Sequence, residues 1–296
     1  MAETRASRPI LAGVGCYLVW GFAPLFFQAI FQMGVGSWEI LAHRSLWAAP
    51  VALVFVVWAG QIRQVQAVLR KPSVLAGLAL SALLIGANWS LYIWAVNVGK
   101  VLETSLGYYL TPLLNVLAGV VIFRERLDRT ARIAIALAAL GVAMQAIALG
   151  HIPWISLTLA FTFGAYGVVR KLVAADAQTG LFVECLFLAV PSAVYLAFLP
   201  HGGHFGSAAP VTLWLLACGP VTAVPLVLFS WVVRRIPMST LGFLQFIGPT
   251  VAFAIGLAEG EAFTPLRALS FAMIWGGAVV YAFGAWRKHQ APVVAT

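Results

Sequence analysis

Ten apolar stretches, each close to the roughly twenty residues a helix needs to cross a hydrocarbon core, occupy this chain almost from end to end. They run over residues 9–32, 38–58, 73–97, 101–123, 130–149, 152–170, 180–199, 209–233, 238–258 and 264–286. A short turn at Gly150 and His151 is all that separates the fifth from the sixth. Positive charge falls in every second gap: Arg5 and Arg8; Arg63, Arg70 and Lys71; Arg124, Arg126, Arg129 and Arg132; Arg170 and Lys171; Arg234 and Arg235; Arg287 and Lys288. Lys100 and Arg267 lie in the other gaps, and Arg44 lies inside the second stretch. Because Lys and Arg are retained on the cytoplasmic side during insertion, the alternation predicts a multi-pass protein of a bacterial inner membrane with both termini in the cytoplasm.

A chain that is 62% hydrophobic and 9% charged is no ordinary soluble domain, where charged residues make up about 25%. The net charge of +9 does not call for nucleic acid, since the basic residues are scattered singly and in pairs instead of being gathered on one face. The expected surroundings are a lipid bilayer. Cys16, Cys185 and Cys218 all lie in apolar stretches without metal-ligand spacing; they are expected to be reduced and structural, with no metal and no cofactor. The run at Gly15 and Cys16 continues through Trp20, Gly21 and Phe22 with no cleavage pattern, so the first stretch is read as a retained helix. The longest polar gaps, 59–72 and 171–179, are of loop size, which confines function to the bundle.

The two halves resemble each other at an offset of 135–143 residues. Tyr92-Ile-Trp94 is followed by Thr104-Ser105-Leu106-Gly107-Tyr108, then Pro112 and Gly119; Phe229-Ser-Trp231 is followed by Ser239-Thr240-Leu241-Gly242-Phe243, then Pro249 and Gly256. Glu125 and Glu261 close the two versions, and Trp20-Gly21-Phe22 corresponds to Phe163-Gly164-Ala165. The expected organisation is a five-helix repeat over 9–149, a second over 152–286, and cytoplasmic tails at 1–8 and 287–296. Five crossings per repeat is an odd number, so the second repeat enters from the opposite side. The predicted fold is all-α, ten transmembrane helices in two inverted repeats, the usual construction of secondary transporters that work by alternating access.

Asn88-Trp89-Ser-Leu-Tyr92-Ile-Trp94, Ser105-Leu-Gly107-Tyr108-Tyr109, Glu39-Ile-Leu-Ala-His43-Arg44 and Tyr166-Gly167-Val-Val-Arg170-Lys171 together resemble the RarD-type branch of the EamA family, in the drug/metabolite transporter superfamily. The similarity runs from Gly13 to about Trp286. It implies a ten-helix exporter with cytoplasmic termini, in a superfamily that includes exporters of amino acids, notably aromatic ones. Those aromatic exporters carry Tyr-Leu-Trp-Pro on the fourth helix, where this chain has Tyr109-Leu110-Thr111-Pro112. The missing Trp argues against a purely aromatic specificity.

The third and fourth helices are the expected place of a substrate pocket. Asn88, Tyr92 and Asn97 fall on one helical stripe flanked by Trp89 and Trp94, and Tyr108 and Tyr109 lie on the next helix. Trp20, Tyr166 and Gln245 complete the set of candidate binding residues. Such a face suits an amphipathic solute, with rings against its apolar side chain and amide or phenol groups replacing its water. The competing reading places Trp and Tyr at the membrane interface or in the core. Pro112 and Pro249 each free a helix carbonyl and are candidate hinges, or else static kinks. Glu39 and His43 share a helix face; Arg44 either pairs with Glu39 or faces a substrate carboxylate. Glu184 is placed near the cytoplasm, either snorkelling or paired with Arg170 or Lys171, and Glu103 is placed as a cap on the fourth helix. No acid stands alone at a helix centre, which favours facilitated export over proton or sodium coupling.

The expected function is export of small amphipathic metabolites, chiefly aromatic or medium-sized apolar amino acids, by a monomer or a dimer. The alternatives are a drug, nucleoside or polyamine exporter, an intramembrane enzyme, or a channel. Zinc, nucleophile-elbow and phosphate-loop motifs are missing, no close pair of acids lies at the midplane, and no ring of like charges is evident. His201 and His204, in an external loop, are read as parts of a solvated turn in preference to metal ligands.

Overall fold

The computed structural model describes residues 3–258 and 264–290, and Glu261 lies outside that range. The helices are α1 (Glu3–Gln32), α2 (Ser37–Trp58), α3 (Ile62–Leu69), α4 (Pro72–Asn97), α5 (Val101–Val121), α6 (Arg129–Ala148), α7 (Trp154–Leu172), α8 (Ala177–Ala197), α9 (Ala209–Val233), α10 (Met238–Gln245), α11 (Ile247–Ala258) and α12 (Pro265–Gln290). Among the described residues, nine segments are long and apolar enough to span a membrane. Helix α7 is not one of them, because its last turn holds Arg170 and Lys171. It nevertheless makes the tenth crossing, running alongside α5: Ser156 bonds the Glu103 carbonyl at one end, and Gly164 and Gly167 meet Asn115 at the other. Ten crossings put the start of α1 and the end of α12 on one face, the terminal face.

Local chemistry sets the helix boundaries. Proline stands at the start of α4, where the missing N–H needs no partner. Asp128 caps α6 by accepting from the Ala131 N–H at 2.7 Å. Gly150 turns the chain between α6 and α7 at φ 71°, the left-handed region that favours glycine. Two sequence expectations need correcting. The gap at 59–72 contains α3, whose Val65 and Val68 pack under the bundle. The ninth crossing is also not one helix: α10 and α11 break at Phe246, because Pro249 cannot donate to the carbonyl four residues back.

The crossings pack mainly between halves. Helix α2 lies against α8 and α9, α4 against α7 and α8, α1 against α9 and α11, α5 against α7 and α10, and α6 against α12. Exchanging each crossing with the one five places on leaves this set of neighbours unchanged, as an inverted repeat requires. Contacts within each half are less symmetric: α7 packs on α9, α5 on α6 and α1 on α2, while the counterpart pairs are not packed to a comparable extent among the described residues. The core between the halves is aromatic. Tyr166 stacks on Phe229 at 5.6 Å, and Trp20 meets Phe163 edge-on at 5.5 Å and Phe229 at 5.6 Å.

Small residues set the spacing of α6 and α12. A Cβ on Gly141 would stand 2.6 Å from the Ser270 carbonyl oxygen, whereas one on Gly276, on the same α12, would meet nothing within 4 Å. Gly141→Ala should lower the melting temperature of the detergent-purified protein, since overpacking costs about 1–3 kcal/mol against roughly 0.5–1 kcal/mol gained in helix propensity. Gly276→Ala should raise it. Melting both variants beside the parent protein checks the helix interface.

Candidate functional site

Helix α2 carries its charges on two stripes that meet different partners. Glu39 is buried and accepts from the His204 backbone N–H at 2.6 Å, with His204 Nδ1 2.8 Å from its other oxygen. His43 accepts at Nδ1 from the Trp47 indole N–H at 3.1 Å and turns Nε2 toward Glu39 at 3.8 Å. Phe205 stacks on both the His43 and Trp47 rings, at 5.3 and 5.5 Å. Glu39 and His43 therefore fasten the loop before α9 and do not pair with Arg44.

Arg44 points elsewhere. It sits seven residues into α2, about 10 Å deep at a rise of 1.5 Å per residue. Its guanidinium lies 4.1 Å from the Trp89 ring centroid and 4.8 Å from that of Phe27, and its Nε donates to the Thr222 hydroxyl at 3.3 Å. No carboxylate of the described residues pairs with it. A cation at membrane depth costs about 2.5–3.5 kcal/mol even on the gentlest scale, and a cation–π contact returns about 0.5–2 kcal/mol. The two ring contacts and the Thr222 bond offset much of that cost, but no opposite charge of the described residues does.

Arg44 opens toward α4 and α5. It lies within electrostatic range of the Tyr92 and Tyr108 hydroxyls, and those two rings meet edge-on at 5.8 Å. Tyr108 is 49% exposed although it lies seven residues into α5, and the space it faces is a cavity of about 300 Å³. Ser105, Tyr109, Gln145, Pro249, Arg267 and Phe271 also line that cavity, which lies on the side opposite the terminal face. Such a volume is at the small end of ligand pockets. Tyr109 donates to the Pro249 carbonyl at 3.3 Å, so the two candidate hinge helices touch at this wall.

The other candidates are placed differently. Asn88 is buried and donates to the Leu159 carbonyl at 2.8 Å and to Thr162 at 2.9 Å, which commits it to the α4–α7 contact. Trp94 is 40% exposed beside Trp154, near the ends of their helices, where an interfacial belt belongs. Trp20 and Tyr166 belong to the aromatic core. Gln245 accepts from Asn115 at 2.5 Å and ties α10 to α5 below the cavity. Pro112 lies within an unbroken α5, and Pro249 one turn past a break. Glu103 makes no cap bond; it lies between Lys100, at 3.8 Å, and His151, at 3.9 Å.

The terminal side is closed. Glu125 accepts from the backbone N–H groups of Met238 at 2.6 Å and Ser239 at 3.0 Å, and from the Ser239 hydroxyl at 2.7 Å. Lys171 donates to the Val233 and Ile236 carbonyls at 2.7 and 2.6 Å. Arg170 is fully buried and pairs with Glu184, which is 2% exposed. Of the two sequence readings of Glu184, pairing with Arg170 holds and snorkelling does not, while the reading of Arg170 as a surface charge falls. The guanidinium rests over Gly180, where any Cβ would overlap it. The signal for Arg170 was its spacing from Phe163 and Tyr166, which sets all three on one inward stripe of α7. Thr222 and Phe27 carried no comparable signal.

Residues 7–146 match the EamA-like transporter family. An uncharacterized transporter of Vibrio cholerae is 40% identical, over 94% of this chain and 93% of its own. The protein RarD of Escherichia coli is 38% identical, over 96% and 97%. This chain belongs to the EamA-like transporter family, in its RarD branch. A crystal structure 23% identical in sequence superposes with a TM-score of 0.73 over 95% of this chain and 99% of the other, and shares the fold. As an EamA-like protein the chain is a multi-pass membrane transporter, and its candidate substrate site is Arg44 with the neighbouring cavity that Tyr108 lines.

Glu125 reaches across from one repeat to cap a helix of the other. Removing such a cap costs about 0.5–2 kcal/mol. In Glu125→Ala, hydrogen exchange at the Met238 and Ser239 amides should accelerate while the α6–α12 amides stay at parent rates. Mass-spectrometric exchange on the reconstituted protein measures both.

Proposed function

We propose that this transporter exports small amphipathic carboxylates across a bacterial inner membrane by alternating access, amino acids with aromatic or medium-sized apolar side chains foremost among them. One observation carries the substrate class: Arg44 stands half-buried among Trp89, Phe27 and Tyr92 without a carboxylate of the described residues to pair with. A ligand carboxylate supplies the missing charge through paired N–H donors. The rings then cover its apolar side chain, and the cavity of about 300 Å³ takes a solute of amino-acid size. A neutral drug or a polyamine leaves Arg44 as it is or repels it.

The retention of Lys and Arg on the cytoplasmic side assigns the terminal face to the cytoplasm, so the cavity faces outward in this conformation. The repeat supports an exchange of states. Tyr108 lines the open cavity with Tyr92 packed against it, while their repeat counterparts Phe229 and Phe243 are 1% and 8% exposed. Exchanging the two environments closes the outer side and opens the inner one.

Proteoliposomes offered labelled tryptophan, phenylalanine or leucine should show saturable exchange, with tryptamine, which lacks the carboxylate, a poor competitor. Arg44→Gln should weaken apparent affinity for tryptophan roughly ten- to a hundredfold, the equivalent of about 1.5–3 kcal/mol for a hydrogen bond to a charged group. It should also abolish the preference for tryptophan over tryptamine. Equal competition by the two in the parent protein would sink the carboxylate reading.

A further inference from the structure

The Arg44 site leaves a second group of buried polar residues unused. Arg170 and Glu184 lie side by side in the terminal half of the bundle, Nε to Oε1 3.4 Å, with side chains 0% and 3% exposed. Arg170 Nε also donates to Ser230 at 3.1 Å and Nη2 to the Ala177 carbonyl at 3.3 Å, while Nη1 is buried without a partner. Glu184 accepts a short hydrogen bond from Ser81 and another from the Tyr166 hydroxyl at 3.5 Å. Around it, α7 contributes Tyr166 and Arg170, α4 Ser81, α9 Thr222 and Ser230, α2 Ser45, and α8 itself Cys185; α3 contributes no charged group. Arg170 is therefore the one charge facing Glu184 among the described residues.

A pair of this kind is a poor staple. Apolar residues of the same volume are often as stabilising, or better by about 1–4 kcal/mol. Its position suggests another use. A cavity of about 10 Å³ adjoins Glu184, walled by Ser45, Trp89, Tyr166 and Thr222. That is room for one water, and Ser45, Thr222, Tyr166 and Glu184 offer it the two to four polar partners a buried water needs. Trp89 and Thr222 are the residues that hold Arg44, so the small cavity joins the candidate substrate site to the buried carboxylate.

We propose that Glu184 is the proton-binding group that couples substrate exit to proton entry, a role that takes its direction from the export reading above. In the outward-facing state Glu184 is a carboxylate and Arg170 its counter-charge. A hydronium ion arriving through the one-water cavity gives its proton to a Glu184 oxygen: an O–H bond forms, water is released, and the buried pair goes from net zero to one positive charge. Arg170 stands on the last turn of α7 beside Lys171, so the charge is relieved by opening on the terminal side. There Glu184 returns the proton to cytoplasmic water and the ion pair re-forms. The sequence expectation of uncoupled export rested on the lack of an acid standing alone at a helix centre; Glu184 is instead buried in a pair with Arg170.

Infrared difference spectra of the reconstituted protein, acidic minus alkaline, should contain a protonated-carboxyl band that Glu184→Gln removes and that Glu39→Gln and Glu125→Gln leave in place. In the same vesicles an imposed pH gradient should drive labelled tryptophan against its own gradient. Glu184→Gln should lose this accumulation while exchange of tryptophan for tryptophan, which moves no net proton, continues. If that variant fails to fold, Arg170→Gln/Glu184→Gln removes both charges and should show the same two losses. Persistence of either the band or the pH-driven accumulation in a folded variant overturns the proposal, as does a parent protein that lacks the band. A parent protein that exchanges no amino acid overturns the substrate reading instead, and the infrared band then decides the role of Glu184 by itself.

Discussion

A hydrocarbon solvent offers no hydrogen bonds, and every polar group carried into it needs a partner within the protein. That condition decides where this chain is regular and where it is not. The helices satisfy their own backbones along most of each crossing. The one broken crossing, at Phe246 between α10 and α11, falls beside the cavity and not against lipid. Polar side chains obey the same condition: Asn88 clasps α7, Asn115 clasps Gln245, and Glu125 caps α10. Against these helix-to-helix bonds, Arg44 and the Arg170–Glu184 pair stand out as charges that packing alone does not require.

The inverted repeat makes a single structure informative about two states. Equivalent positions occupy unequal surroundings: Tyr108 lines an open cavity while its counterpart Phe243 is buried and stacked on Tyr281. Helices α7 and α9 are packed where α1 and α4 are not. The chemistry at the equivalent positions is not symmetric, however, with Tyr92 and Tyr108 opposite Phe229 and Phe243. Hydroxyl groups are thus concentrated on the side of the site away from the terminal face.

The fold was legible because hydropathy, charge alternation and repeat spacing are properties of whole segments. Ten crossings and their inversion followed from patterns that no single residue controls. The site was legible only in part. Trp89, Tyr92, Tyr108 and Arg44 were readable because aromatic and charged residues are conspicuous in an apolar chain, and the structure links them by contact, Arg44 on the Trp89 ring and Tyr92 against Tyr108, although Tyr108 is the one of the four that lines the larger cavity. Asn88 was equally conspicuous, but whether an amide faces a pocket or a neighbouring helix depends on helix rotation, which spacing along one helix does not determine. Thr222 and Ser81 were invisible for the opposite reason: a hydroxyl among scattered Ser and Thr acquires meaning only from its partner across the bundle. Arg170 was misread because it adjoins Lys171, and a charge at the end of a crossing looks like a topology signal even when its helix face turns it inward.

The cavity is walled from both halves of the chain, by Tyr108 and Tyr109 on one and by Pro249 and Phe271 on the other. Under the proposed alternating access, anything bound there touches two bodies that move past each other before the opposite side opens. Under the proposed carboxylate selectivity, a ligand that reaches Arg44 but carries a group too bulky for the walls to close around holds them apart and arrests the cycle. The geometry that admits a substrate therefore also specifies the shape of an inhibitor: the same charged end, with a wedge in place of a side chain.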